Sequence, residues 1–86
     1  MTLEEQFEQA KKDVLTLDEK PSNTIMLDLY ALNKQATVGD VNIEKPPVFD
    51  FIATAKYKAW KTKAGLNKDA AMQQYIDLVR SLLHQS

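Results

Sequence analysis

Hydrophobic residues near both ends of the chain recur at the spacing of an amphipathic helix. In the first segment, predicted from about residue 3 to 16, the face consists of Leu3, Phe7, Ala10, Val14 and Leu17. In the last segment, predicted from about 68 to 84, it consists of Met72, Ile76, Val79 and Leu83. Steps of three and four residues place side chains on one side of an α-helix. Both segments follow helix-start signals, Thr2 with Glu5 as a capping box and Asn67 as an N-cap.

A second helix is predicted over about residues 22–38. Ser22 is its expected N-cap, and Gly39 is expected just beyond its last turn. The apolar surface of this segment comprises Met26, Leu27, Leu29, Tyr30, Leu32 and Ala36. That surface is wider than the single stripe that packing against one neighbour requires.

A third helix is predicted over about residues 51–64, with Asp50 as N-cap and Gly65 at its C-cap. The connection before it, residues 39–50, contains two consecutive prolines, which exclude a long helix there. Fully extended, this connection could reach about 40 Å, enough to return along the bundle so that the third helix lies parallel to the second. The chain is therefore predicted to be all-α, a single four-helix domain over residues 1–86.

Composition narrows the possible classes of protein. Apolar residues make up 44% of the 86 residues, which is sufficient for a core, and the absence of cysteine excludes disulfides and thiolate metal sites. No apolar run approaches the roughly 20 residues of a membrane span, so we predict no stable membrane insertion. The N-terminal residues lack the pattern of a signal peptide, and the default expectation is a cytoplasmic monomer.

The sequence contains no recognisable catalytic or metal-binding set. His84 is the single histidine and has no ligand cluster around it in the sequence, so we predict no metal site. No nucleophile–base pair and no glycine-rich phosphate loop is apparent, and we predict neither catalysis nor a cofactor.

Charge and aromatic residues concentrate in the middle of the chain. Residues 34–68 carry seven lysines against three acidic residues, although the net charge of the whole chain is −1. Tyr30 and Lys34 share a face of the second helix, Lys56 lies among aromatic residues on the third, and Tyr75 lies mid-way along the fourth. Lysines and phenols suit a phosphate, and aromatic faces suit a purine. The alternative is that the aromatic residues belong to the core and the lysines are simply solvated.

Residues 30–42 carry a family resemblance. This stretch, YALNKQATVGDVN, resembles the acyl-CoA-binding protein family through its KQATVGD core. Further matches are Lys20, Pro21, Pro46, Asp50, Phe51, Ala55, Lys56, Ala59, Trp60, residues 69–72, Tyr75 and Ile76. The resemblance covers essentially the whole chain.

The resemblance implies an up-down-down-up bundle and a carrier of long-chain fatty acyl-CoA that does no chemistry on it. In the family, the positions of Tyr30, Lys34 and Lys56 hold the adenosine 3′-phosphate and flank the adenine, and the position of Tyr75 contacts the ligand. The resemblance also implies an apolar groove for the acyl chain, here including Ala10, Met26 and Leu27.

The chain departs from the family pattern at several ligand positions. Asn33 replaces a second tyrosine among the head-group residues. Leu15 and Ile52 stand where lysines are common, and we interpret them as extensions of the apolar groove. Tyr57 replaces a common tryptophan, and Pro47 replaces a common glycine.

Two binding alternatives remain from the residues alone. The wide apolar face of the second helix is also typical of a helical protein–protein interaction module, which would dock a partner helix there. Nucleic-acid binding through the lysine-rich third helix is disfavoured by the net charge of −1 and the isoelectric point near 5.7.

Overall fold

The computed structural model describes residues 1–84, which contain four α-helices and no strand. A single 3-10 turn, Val14–Thr16, extends the first helix. The helices are α1 (Leu3–Asp13), α2 (Asn23–Thr37), α3 (Phe51–Lys61) and α4 (Lys68–Leu83). Their number and order agree with the four segments predicted from the hydrophobic pattern.

Each helix begins at its predicted N-cap. The capping side chain accepts a hydrogen bond from the backbone N–H three residues later, which satisfies one of the free donors of the first turn. The four caps are Thr2, Ser22, Asp50 and Asn67. At α1 the box is complete, because Glu5 also accepts from the backbone N–H of Thr2 at 3.1 Å. These bonds with Thr2 lower the pKa of Glu5.

The helix ends agree less uniformly with the sequence prediction. α2 ends as expected, with Gly39 at a φ of +98° just after its C-cap. The prediction for α3 was wrong by three residues, since the helix ends at Lys61. The Thr62 hydroxyl donates to the carbonyl of Ala59 at 2.6 Å, and tighter turns follow as far as Gly65, whose φ is +86°. Gly65 therefore closes these turns and does not cap the helix itself.

Helix α2 occupies the centre of the arrangement. It packs against α4 on one side and α3 on another, while α1 packs against α4. This position explains most of the wide apolar surface of α2, since α3 and α4 cover much of it, although Met26 remains 39% exposed. The core of α1, α2 and α4 consists of Phe7, Ala10, Leu29, Leu32, Ala36, Ala71, Tyr75, Ile76, Val79 and Leu82.

A polar clasp fastens α3 to the end of α2. The indole N–H of Trp60 donates to the carbonyl of Gly39 at 2.8 Å. The Gln35 amide donates to the carbonyl of Leu66 and to the Asp40 carboxylate, both at 2.8 Å. Asp40 also accepts from the backbone N–H of Gly65 at 2.9 Å. The clasp fixes the register of α3 against α2, which positions the lysines of α3.

Asp40 should make the stability of the clasp pH-dependent. Hydrogen bonds from Gly65 and then Gln35 lower the pKa of the Asp40 carboxyl. A carboxyl whose pKa is lowered by folding stabilises the fold above its unfolded pKa, and this stabilisation is lost as pH falls through the folded value. Asp40→Asn should therefore lower the free energy of unfolding at neutral pH, and the difference from the parent should shrink on acidification.

Urea unfolding of both proteins across the acidic range measures this difference. Asp18→Asn, at an exposed position between α1 and α2 and with no hydrogen bond to the clasp, is the matched control for removing one surface carboxylate. A difference between Asp40→Asn and the parent that does not change with pH would contradict the assigned role of the carboxylate.

Candidate functional site

A cluster of two lysines around one tyrosine lies where α2 and α3 meet. The Lys34 ammonium is 5.9 Å from the centre of the Tyr30 ring, and the Lys56 ammonium is 5.3 Å from the same centre. Lys34 also lies 5.7 Å from the centre of the Trp60 ring. The helical spacing of four residues places Lys34 beside Tyr30, whereas Lys56 arrives from α3 through the tertiary fold. We call Tyr30, Lys34 and Lys56 the lysine–tyrosine cluster.

The two cations of this cluster lack a carboxylate partner. Within residues 1–84, no carboxylate oxygen lies within 4 Å of either ammonium, whereas Lys63 pairs with Asp28 at 2.7 Å. Exposed cation–π contacts contribute only about 0.5–1 kcal/mol each, and two neighbouring ammonium groups repel one another. An anion bound between them would be stabilised by both. The cluster is therefore suited to a phosphate.

A cleft of about 400 Å³ adjoins the cluster through Tyr30. This volume lies within the range of roughly 300–1,000 Å³ typical of small-molecule sites. The cleft is lined by Val14, Leu15, Leu17, Glu19, Lys20, Pro21, Met26, Leu29, Tyr30, Asn33 and Tyr75. Most of these side chains are apolar, and Lys20 adds another cation at the wall. The site therefore combines cationic groups around Tyr30 with a largely apolar cleft.

Tyr75 brings α4 into the cleft. It is only 5% exposed, and its ring meets Phe7 edge to face with 5.1 Å between centres. Burial raises the pKa of the Tyr75 phenol, so the group stays protonated and able to donate. No hydrogen-bond partner for its hydroxyl is found among residues 1–84. The hydroxyl is therefore available to an acceptor atom in the cleft.

Asn33 contributes an unpaired acceptor. Its Oδ1 atom is buried and has no hydrogen-bond partner within residues 1–84. A buried polar atom without a partner is unfavourable by about 1–3 kcal/mol. Because Asn33 lines the cleft, a ligand N–H or O–H that reached this oxygen would remove that cost.

Of the five residues predicted for the apolar groove, two line the cleft and three do not. Leu15 and Met26 line the cleft. Ala10 does not, because it is 5% exposed in the core of α1 and α4. Leu27 lines a different depression of about 320 Å³ beside Ala59, since one residue along a helix turns the side chain by about 100° from the Met26 face. The side chain of Ile52 is 72% exposed and also lies outside the cleft.

Comparison with known proteins identifies the family. Residues 4–79 match the family described as "Acyl CoA binding protein". The chain belongs to the acyl-CoA-binding protein family. One relative, acyl-CoA-binding domain-containing protein 1 of Oryza sativa subsp. japonica, is 46% identical to this chain over 86 residues. The aligned region covers 100% of this chain and 94% of that protein. Acyl-CoA-binding protein homolog 1 of Caenorhabditis elegans is 48% identical over 77 residues, covering 90% of each.

Solved structures of the acyl-CoA-binding protein family share the fold. The crystal structure of Oryza sativa acyl-CoA-binding protein 2 superposes with a TM-score of 0.93 at 40% identity, covering 98% of this chain and 93% of that one. The crystal structure from Moniliophthora perniciosa gives 0.90 at 38% identity, covering 99% and 83%. The predicted all-α, up-down-down-up bundle with its long α2–α3 connection is confirmed.

Some relatives of this family member are much longer. Enoyl-CoA delta isomerase 2 of Homo sapiens is 50% identical over 76 residues, which are 88% of this chain but 19% of that protein. The chain likewise spans 21% of the rat enzyme. The similarity to these two proteins is therefore confined to about a fifth of their length.

Two residues at the candidate site, Lys20 and Trp60, were not predicted as site residues from the sequence. Lys20 lies in the extended stretch before α2, where no helical periodicity shows which way a side chain points. Trp60 was considered both among the aromatic residues that suit a purine and as a core residue, and it was not predicted as a site residue. It is 2% exposed, and its ring centre lies 5.7 Å from the Lys34 ammonium. Its position within the lysine-rich third segment was the available signal.

Residues 1–84 contain neither a metal-binding cluster nor a membrane-spanning helix. No group of three or more histidine, cysteine or acidic side chains is arranged there to hold a metal ion. No helix in this part of the chain is both long enough and apolar enough to cross a membrane.

Proposed function

We propose that this chain is a cytoplasmic, monomeric carrier of long-chain fatty acyl-CoA that leaves its ligand chemically unchanged. The observation that carries the proposal is that the unpaired ammonium groups of Lys34 and Lys56 meet at the Tyr30 ring, which also lines a largely apolar cleft. An acyl-CoA has the same division, since a phosphorylated nucleotide stands at one end and a hydrocarbon chain at the other. Membership of the acyl-CoA-binding protein family supports the same ligand.

The nucleotide end belongs at the lysine–tyrosine cluster. Lys34 and Lys56 hold the 3′-phosphate as point charges, and the Tyr30 ring flanks the adenine. Each charged hydrogen bond to the phosphate contributes about 1.5–3 kcal/mol, and stacking of the base contributes about 1–3 kcal/mol. Asn33 and Tyr75 face the middle of the ligand, where one offers an acceptor and the other a donor.

The acyl end belongs in the cleft, along Leu15, Met26 and the apolar residues beside them. Burying a sixteen-carbon chain removes about fourteen methylenes from water, at about 0.8 kcal/mol each, or roughly 11 kcal/mol before association costs. Those costs amount to about 4–15 kcal/mol. The tail therefore dominates affinity, while the nucleotide sets orientation and specificity.

The residues that line the cleft supply no nucleophile–base pair. Its ionisable side chains are Glu19, Lys20, Tyr30 and Tyr75, and it contains no serine, cysteine or histidine. Thioester hydrolysis needs an activated nucleophile or an activated water. Carriage without reaction is therefore the function that this cleft supports.

Removing either lysine of the cluster should weaken binding of palmitoyl-CoA. We expect Lys34→Ala and Lys56→Ala each to raise the dissociation constant by about tenfold or more, because each loses a charged contact to the phosphate. The salt dependence of binding should also decrease, since fewer charges take part. Isothermal titration calorimetry at several salt concentrations measures both effects.

Lys12→Ala is the matched control, since Lys12 is exposed on α1 and outside the cleft. It should bind like the parent. If the two cluster variants also bound like the parent, the head-group assignment would be wrong even with the fold intact.

Affinity should rise with acyl chain length until the cleft is filled. Calorimetric titration with free coenzyme A and with octanoyl-, dodecanoyl- and palmitoyl-CoA compares the contributions of head group and tail. Each added methylene that enters the cleft should strengthen binding by up to about 0.8 kcal/mol. Equal affinity for free coenzyme A and palmitoyl-CoA would contradict the placement of the tail.

A further inference from the structure

Met26 lines the cleft and is open to solvent at the same time. The sequence has three methionines and no cysteine, so Met1, Met26 and Met72 carry all of its sulfur. Met26 is 39% exposed, Met1 is 78% exposed, and Met72 packs partly buried against the core. Of the described residues that line the cleft, Met26 alone contains sulfur. The cleft therefore holds one thioether that a small solute can reach.

The surroundings of the Met26 thioether are largely apolar. Leu29 and Tyr30 follow it by three and four residues, so the three side chains share a face of α2, and all of them line the cleft. Leu15 lines the same cleft from the turn that extends the first helix. A thioether suits such neighbours because it is flexible, polarisable and apolar. The same position is unsuitable for a polar side chain that needs hydrogen bonds.

Peroxide changes the polarity of a thioether. A lone pair of the sulfur attacks one oxygen of hydrogen peroxide, so that an S–O bond forms while the O–O bond breaks. The sulfur is oxidised by two electrons, and the second oxygen leaves with both protons as water. The product is methionine sulfoxide, a polar and chiral side chain in place of an apolar one. At Met26 this reaction places an S–O dipole on the wall of the cleft.

We propose that Met26 is a peroxide-sensitive modification site at which oxidation to the sulfoxide releases acyl-CoA. The inference rests on the proposed function, because it takes the acyl chain to lie along Met26. Methylenes packed against the sulfoxide remove its oxygen from water, which costs free energy unless the oxygen finds another donor. The bound chain in turn covers the thioether and slows its oxidation. Binding and oxidation therefore oppose one another at the same sulfur atom.

Calorimetry of peroxide-treated protein tests the effect on affinity. Protein in which peptide mass spectrometry shows Met26 fully converted should bind palmitoyl-CoA about tenfold more weakly than untreated protein. The helical circular dichroism should be retained, because Met26 lies outside the core cluster. Methionine sulfoxide reductases with a dithiol should restore the affinity. The dithiol has no other target, since the chain has no cysteine.

Two leucine variants assign the effect to one sulfur atom. Each variant is compared with itself before and after treatment, so its own starting affinity is the reference. The affinity of Met26→Leu should not change on treatment, because leucine has no sulfur. Met72→Leu is the matched control, which removes a methionine outside the cleft and should lose as much affinity as the parent. Met26→Gln, which makes this position polar without oxidation, should bind palmitoyl-CoA more weakly than the parent before any treatment.

The rate of oxidation tests the shielding of Met26 by the ligand. Peptide mass spectrometry follows the conversion of each methionine at a fixed peroxide concentration, with and without saturating palmitoyl-CoA. The ligand should slow the conversion of Met26 severalfold. It should leave the conversion of Met1 unchanged, because Met1 is exposed and lies outside the cleft.

Three results would overturn this inference and leave the proposed function intact. One is equal affinity of the untreated protein and the Met26 sulfoxide for palmitoyl-CoA. A second is conversion of Met26 at the same rate in the free and the ligand-saturated protein. The third is a loss of affinity in treated Met26→Leu as large as that in the treated parent. An untreated parent that does not bind palmitoyl-CoA would instead overturn the proposed function and this inference together.

Discussion

Two ammonium groups share the ring of Tyr30, a residue that also lines the cleft, and the proposed binding of an amphiphile depends on that arrangement. Lys34 and Lys56 each lie within 6 Å of the centre of the Tyr30 ring, and neither has a carboxylate partner in the described chain. Solvent screening makes the unliganded arrangement tolerable, but an anion stabilises it further. The clasp between Asp40 and the turn after α3 maintains it, because it sets the position of α3 against α2. Hydrogen bonds of residues that do not line the cleft thus help to set the geometry of the charged end.

The fold could largely be predicted from sequence wherever its determinants are local. A cap such as Thr2 or Asn67 acts on a backbone N–H only three residues away, so the sequence contains the whole interaction. The end of α3 depends on the hydrogen bonds of Thr62 and on the positive φ that Gly65 adopts without strain. The sequence prediction used the glycine alone and therefore placed the end of the helix too late. The width of the apolar surface of α2 was visible in the sequence, but only the packing of α3 and α4 shows which part they cover and which part, with Met26, lines the cleft.

The proximity of two candidate-site residues could be predicted from the sequence where both lie on the same helix. Tyr30 and Lys34 lie together because their spacing of four residues fixes them on one face, whereas the approach of Lys56 required the tertiary fold. Met26 and Leu27 could not be told apart by hydrophobicity, yet α2 points only Met26 into the cleft. The unpaired Oδ1 of Asn33 is likewise a property of packing, because no local pattern shows whether a side-chain amide finds a partner.

The most direct test is amide chemical-shift mapping of the ¹⁵N-labelled protein with coenzyme A and then with palmitoyl-CoA. If one amphiphile occupies both halves of the site, coenzyme A alone should shift the amides around Tyr30, Lys34 and Lys56. Palmitoyl-CoA should add shifts at Leu15 and Met26. Shifts centred instead on Leu27 and the neighbouring depression, with the lysine–tyrosine cluster undisturbed, would contradict the account.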